Sequence, residues 1–151
     1  MLSALRIGAA RETTPAPGAR VESLSPRSGY RAAIRVEHAG GWLPGSFSYD
    51  NVFTTGSYYQ PVGAVVLAGR LQFGSIVSER VIDLPFSKRY FLGGADSLRG
   101  WGRFEVSPLS INGQPIGGRA VALFNGEVRF PIAGPLSGVV FVDAGNVWAE
   151  S

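Results

Sequence analysis

Gly118-Arg119-Ala120-Val121-Ala122-Leu123-Phe124-Asn125-Gly126-Glu127-Val128-Arg129-Phe130 is the stretch that decides the fold. Its odd positions carry Arg119, Asn125, Glu127 and Arg129 beside Val121 and Leu123, while its even positions carry only Ala, Phe, Gly and Val. Alternation of period 2 is the signature of an extended strand, whose successive side chains point to opposite sides. One mixed face and one wholly apolar face suit a barrel wall between an aqueous lumen and lipid. The length agrees, since a tilted membrane-crossing strand needs about 9–11 residues and soluble strands cluster near about 5–6.

Working outward, residues 30–39 repeat the pattern, with Arg31, Arg35 and Glu37 opposite Tyr30, Ala32, Ile34 and Val36. In residues 64–74, Arg70 and Gln72 oppose Val65, Leu67, Leu71 and Phe73. Segments 2–11, 47–60 and 136–148 read as further strands, the last apolar on both faces apart from Asp143 and Asn146. Gln60-Pro61-Val62-Gly63 and Pro131-Ile132-Ala133-Gly134-Pro135 read as tight turns, whereas 75–117 is far longer than a hairpin loop. Outer-membrane barrels alternate short periplasmic turns with long extracellular loops. Tyr58, Tyr59 and Phe130 before the two turns, with Trp42 and Trp148 toward the opposite ends, stand where aromatic girdles are expected. The pattern therefore predicts an all-β chain, about six strands of an antiparallel transmembrane β-barrel. The competing reading is a soluble β-sheet binding module, whose exposed aromatics would mark a ligand face.

Composition narrows the function. The 151 residues include 21 Gly and 10 Pro but no Cys, which leaves no disulfide framework, thiolate metal site or cysteine nucleophile. The net charge of +3 comes from scattered arginines rather than a basic run, which argues against a nucleic-acid partner. The long uncharged stretch 51–69 is interrupted by Thr54, Thr55, Gly56, Gln60 and Pro61, which argues against a membrane-spanning helix. Residues 1–6 lack the apolar core of a secretory signal, so either export is not encoded here or the natural start lies upstream. His38 is the sole histidine, so neither a histidine metal cluster nor a serine-histidine-acid triad is supported, and His38 is expected to end a strand near water. The glycine-rich segment 93–100 lacks the Lys-Ser/Thr ending of a phosphate-cradling loop. No cofactor, no metal and no catalytic residue is expected.

Five blocks in order resemble the C-terminal barrel of the Omp85 superfamily, the outer-membrane assembly factors and their secretion-pore relatives. They are Leu24-Ser25-Pro26-Arg27-Ser28-Gly29-Tyr30, then Gly93-Gly94 with Ser97-Leu98-Arg99-Gly100-Trp101, Pro115-Ile116-Gly117-Gly118, Glu127-Val128-Arg129-Phe130-Pro131 and Phe141-Val142-Asp143-Ala144-Gly145-Asn146-Val147-Trp148. Leu98 and Trp101 stand where the family's loop signature commonly has Val and Phe or Tyr. The resemblance implies a larger barrel of about sixteen strands behind soluble polypeptide-transport-associated repeats. The chain is accordingly expected to be a C-terminal part of such a barrel, over 1–151, without the repeats and without the terminal strands. The alternative within the resemblance is a barrel that anchors a patatin-like hydrolase.

The resemblance further implies that the long loop, about 75–117, folds back into the lumen and that Arg99 pairs with carboxylates on the wall, Asp143 and Glu127. The guanidinium is a planar, permanently charged fork that can hold a carboxylate through two parallel hydrogen bonds, and Gly93, Gly94 and Gly100 let the loop turn tightly. A hairpin turning about Ala133 would set residue 127 opposite 139 and leave the carboxylates ~13 Å apart. On that register Asp143 is the main partner and Glu127 a more distant one, bridged through Arg129. Asp96 and Arg103 are expected on the loop surface. The implied function is non-enzymatic: insertion, assembly or translocation of unfolded client polypeptides in the bacterial outer membrane, in contact with its lipids and with accessory lipoproteins.

Overall fold

The computed structural model describes residues 3–13, 26–43, 46–78 and 84–150. Met1, Leu2, Leu24, Ser25 and Ser151, which the sequence reading used, lie outside the described residues. Six strands follow one another: β1 (Ala4–Glu12), β2 (Gly29–Ala39), β3 (Tyr49–Val62), β4 (Val65–Val77), β5 (Ala120–Ala133) and β6 (Leu136–Trp148). They form one sheet in sequence order, every neighbouring pair antiparallel, with β1 and β6 at its edges. The only helical element among the described residues is a single 3-10 turn, Phe86–Lys88. This is the all-β, open, partial-barrel architecture expected from the alternation and the resemblance.

Register fixes which side chains share a face. Ile34 pairs with Ala9 and Thr54, Thr54 with Phe73, and Phe73 with Ala122, giving an unbroken uncharged row across five strands. The adjacent row joins Gly56, Leu71, Phe124 and Ala144. Ile34, Leu71, Phe73, Phe124, Val128 and Val142 are all exposed, an arrangement that water would penalise and hydrocarbon would not. The opposite face carries Arg6, Glu37, Arg70, Asn125, Glu127 and Asp143.

Both hairpins are tighter than the sequence suggested. The strands continue through Pro61-Val62 and Pro131-Ile132-Ala133, leaving Gly63-Ala64 and Gly134-Pro135 as two-residue turns. Gly63 (φ 61°) and Gly134 (φ 54°) occupy the left-handed first position that such turns require. Pro131, which has no N–H to give the ladder, sits at a register shift between Pro131 and Ala133. Tyr59 also departs from the girdle expectation. It pairs with Ala68 on the inner face, and the Arg129 guanidinium lies 5.7 Å from its ring, whereas Tyr58 faces outward.

The connection from β4 to β5 spans 78–119, and its described residues from Leu84 onward pack against the inner face. Leu92 and Leu98 pack on Val121, Leu123 and Val147, with Val106 beside them, while Leu84 packs on Ala39, Tyr49 and Ile76. Short antiparallel bridges, Tyr90 with Gly118, Leu92 with Val106 and Leu109 with Pro115, give this segment its own backbone pairing, and Ser110 to Gln114 make its outer turn. Tyr90 stacks on Phe53 and donates its hydroxyl to Asn51 Oδ1. Burial pushes the Tyr90 phenol up to about 12, so it remains the donor. Gly74 leaves the gap that Tyr90 fills, since a Cβ there would stand 2.5 Å from the Tyr90 ring.

The two faces make opposite demands on the same substitution. In the intact barrel, Leu71→Arg, at the middle of β4 on the apolar face, is expected to destabilise folding into lipid vesicles by about 2–4 kcal/mol. Thr55→Arg, on the inner face between Ala33 and Gln72, is expected to change it by about 1 kcal/mol or less. Denaturant titration of both variants in vesicles measures the difference, and equal penalties would contradict the assignment of the faces.

Candidate functional site

The site is built where the loop turns back on itself. Gly93 (φ 110°) and Gly94 (φ 96°) adopt backbone angles closed to other residues at low cost, and a Cβ on Gly93 would lie 2.1 Å from the Gly102 carbonyl oxygen. Ser97 closes the turn. It accepts the Gly93 N–H at 2.9 Å and donates its hydroxyl to the Gly93 carbonyl at 2.9 Å. The Gly94 N–H reaches the Trp101 carbonyl at 2.9 Å. These bonds leave Leu98 pointing into the core, 6% exposed, and Trp101 and Gly100 facing outward. Arg99 is thereby aimed at the wall.

Arg99 meets both carboxylates. Its Nε and Nη2 donate to Asp143 Oδ2 and Oδ1, each at 2.7 Å, its backbone N–H donates to Oδ2 at 3.0 Å, and its Nη1 donates to Glu127 Oε1 at 2.8 Å. The Phe141 ring lies under the guanidinium, 3.7 Å from centroid to Cζ. All three nitrogens of the fork are used, and hydrogen bonding to Asp143 raises the pKa of Arg99 above its ordinary value. The group is permanently cationic. The Asp143 side chain is 3% exposed, so its charge depends on these donors rather than on water.

The register explains why one arginine reaches both acids. The turn centres between Gly134 and Pro135, not on Ala133, and the register shift between Pro131 and Ala133 takes back one position, so Glu127 faces Phe141 and Asn125 faces Asp143. The carboxylates are diagonal neighbours, for which the spacing is about 7–8 Å, rather than the ~13 Å that the Ala133-centred hairpin implied. The expectation that Glu127 stands too far for direct contact is thus corrected. Arg129 does contact Glu127, through Nε at 2.8 Å and Nη2 at 2.7 Å, so Glu127 is shared by two guanidinium groups. Asp96 and Arg103 are exposed, as expected.

Two participants carried no signal in the sequence beyond an inward-facing position. Asn125 donates to Asp143 Oδ1 at 2.8 Å and to the Ser97 carbonyl at 2.7 Å, tying wall and loop together. Arg70 orients Asn125 by donating to its Oδ1 at 2.9 Å and also donates to the Asp96 carbonyl. Gly145 completes the fit, because a Cβ there would crowd the Leu92 side chain at 3.0 Å and the Ala122 carbonyl at 2.9 Å. Among the described residues no group of His, Cys, Asp and Glu is placed to hold a metal ion. His38 pairs with Asp50 at 2.7 Å, at the far end of β2.

An amphipathic antiparallel sheet with an apolar outer face, and a long connection tied by an arginine to carboxylates of its inner face, defines a wall of an outer-membrane β-barrel with an inward-folded loop. The Omp85 superfamily domain matches residues 20–151, and the chain belongs to that superfamily. Over 93 residues it is 32% identical to the outer membrane protein assembly factor BamA of Nitratidesulfovibrio vulgaris, an alignment covering 60% of this chain and 12% of that protein. The crystal structure of BamA from Haemophilus ducreyi lacking POTRA domains 1–3 superposes with a TM-score of 0.77 at 26% identity, covering 96% of this chain and 30% of that one. The chain spans less than a third of the length of either protein. Its place is the bacterial outer membrane.

Two glycines of the loop separate backbone strain from steric closure. Gly93→Ala is expected to open the turn, because its methyl collides with a backbone carbonyl at a positive φ. Gly100→Ala, at φ 89° but with open space around it, is expected to cost only the local strain of about 1–2 kcal/mol. Limited proteolysis of the loop in the intact protein should therefore accelerate far more for Gly93→Ala than for Gly100→Ala.

Proposed function

We propose that this chain is the loop-bearing part of an outer-membrane factor that inserts and assembles other β-barrel polypeptides, with the loop pinned in the lumen by Arg99. The observation that carries the reading is the Arg99 cluster, in which one side chain and its own backbone N–H bind two carboxylates on adjacent strands. An exposed ion pair stabilises little, about 0–1 kcal/mol, but this one is bidentate, part-buried and stacked on an aromatic ring. Its effect is positional. It fixes which part of the loop covers the inner face and so which part of the lumen a client meets.

The assembly-factor name of the relative from Nitratidesulfovibrio vulgaris favours this reading over a hydrolase anchor. The partners are then unfolded client polypeptides, outer-membrane lipids and accessory lipoproteins, and the work is lowering a barrier to insertion rather than making or breaking covalent bonds. The edge strands β1 and β6 present unpaired backbone groups that hydrocarbon does not tolerate, so in the bilayer they pair with further strands.

Loss of the latch is expected to separate from loss of the barrel. At equal barrel abundance, Arg99→Ala should impair client assembly strongly. Arg99→Lys should also impair it, because a single ammonium cannot hold both oxygens of Asp143 and reach Glu127 as the fork does. Arg103→Ala should be mild. Assembly of a radiolabelled client barrel in proteoliposomes measures all three, and wild-type rates for Arg99→Ala would overturn the pinning role.

A further inference from the structure

The loop touches the wall at a second charged site, which its glycine-rich motif does not include. Glu37, on the inner face of β2, is 2% exposed, yet its carboxylate is fully engaged. Arg6 of β1 donates to Oε2 through Nε at 2.8 Å and Nη2 at 2.6 Å, while Tyr49 of β3 and Lys88 of the loop both donate to Oε1. The three partners differ in origin. Arg6 and Tyr49 belong to the wall, and only Lys88 comes from the loop.

Lys88 sits at the end of the 3-10 turn Phe86–Lys88. Beside it, Leu84 is 1% exposed in a cluster with Ala39, Tyr49 and Ile76, and Arg89 ties the Leu84 carbonyl to that of Ile116 through its guanidinium. The Arg99 cluster lies elsewhere, against β5 and β6, with Leu92 and Leu98 packed on Val121, Leu123 and Val147. Strands are about 4.8 Å apart, so four strand spacings put β2 and β6 about 19 Å from each other along the sheet. Lys88 and Arg99 thus bind different carboxylates, and the loop beside each has a different set of buried apolar neighbours, with Tyr90 packed against both sets.

We propose that Glu37 and Lys88 form a second, independent latch that holds the root of the loop on β2 when the Arg99 latch at its tip is released. This rests on the reading of the loop as a lumen-docked element, and it goes beyond that reading by dividing the loop into a root that stays and a tip that moves. Removal of the Lys88 charge leaves Glu37 satisfied by Arg6 and Tyr49, so the wall keeps its ladder while the loop loses its contact. Lys88 is therefore a positioning residue.

Single reporters, Leu84→Cys for the root and Leu98→Cys for the tip, are introduced one at a time into this cysteine-free stretch of the intact protein in outer-membrane vesicles, with any cysteine elsewhere in that protein replaced by serine. Maleimide labelling is followed in four backgrounds: wild type, Arg99→Ala, Lys88→Met and Lys88→Arg. In Arg99→Ala the Leu98→Cys reporter is expected to label faster while Leu84→Cys stays protected. In Lys88→Met the Leu84→Cys reporter is expected to label about tenfold faster, as follows from losing one charge-assisted contact of about 1.4 kcal/mol, and Lys88→Arg is expected to restore protection. Glu37→Gln serves as the second disruption, and unheated gel mobility checks that every variant retains its barrel.

Unchanged protection of Leu84→Cys in both Lys88→Met and Glu37→Gln would overturn the root latch. Simultaneous exposure of both reporters in Arg99→Ala would overturn the independence of the two latches. Client assembly measured on the same vesicles separates this from the proposed function: normal assembly in Arg99→Ala refutes the pinning role whatever the labelling pattern, and altered labelling with or without an assembly defect decides the latch alone.

Discussion

Hydrocarbon contains no water to hydrogen-bond a backbone, so each membrane-crossing strand has to find its partners in neighbouring strands. That single constraint organises the molecule. It demands long ladders, which all five antiparallel pairings supply, the last with one register shift near its turn. It forbids charge on the outer face, where Ile34, Phe73, Phe124 and Val142 stand. Every guanidinium or carboxylate placed at mid-strand, such as Arg70, Glu127 or Asp143, is consequently driven to the inner face. The concentration of charge in the lumen follows from what the outside excludes.

A lumen so charged still has to hold a loop. Ordering backbone costs about 1–2 kcal/mol per residue, and no single ion pair offsets that for residues 78–119. The docked loop combines three kinds of compensation. Leu92 and Leu98 bury apolar surface, each worth about 1.5–3 kcal/mol; the bridges Tyr90 to Gly118 and Leu92 to Val106 satisfy backbone groups; and the charged contacts select one docking position from the many that burial alone would allow. Burial and backbone pairing decide that the loop is ordered. On the proposed reading, Arg99 decides where.

The fold was legible because its signal is local. Side-chain parity along residues 118–130 or 30–39 can be read without knowing any partner, and the six strands emerge from it. The turn positions were legible only to within a few residues, since Pro61 and Pro131 read as turn residues although each sits in a strand end just before a two-residue turn. That small displacement of the second turn was enough to misplace Glu127 relative to Asp143, because register propagates along the whole hairpin. Charges within the strands could be singled out as inward groups in need of partners. What periodicity does not encode is which groups meet across distant strands. Arg70 with Asn125, and Glu37 with Lys88 and Arg6, join residues 55, 51 and 31 positions apart, and none lies in a motif.

The placement of the two charged clusters has a mechanical consequence. A loop fixed only by its tip would swing about its strand ends at Val77 and Ala120, and its apolar underside, Leu92 and Leu98, would meet water whenever Arg99 let go. A loop fixed at both root and tip instead straps β2 to β6 across the inner face, so that separating those strands strains the loop and releasing the tip relaxes the wall without undocking Leu84. Conformational change in packed proteins proceeds between discrete arrangements rather than by continuous deformation. Two charged clusters on different strands, each with its own donors, supply such discreteness if, as proposed, either contact can be made or broken as a unit while the other persists. Arginine at the tip and lysine at the root fit that division: the fork at the tip fixes orientation as well as place, while the ammonium at the root needs only to reach a carboxylate already oriented by Arg6 and Tyr49.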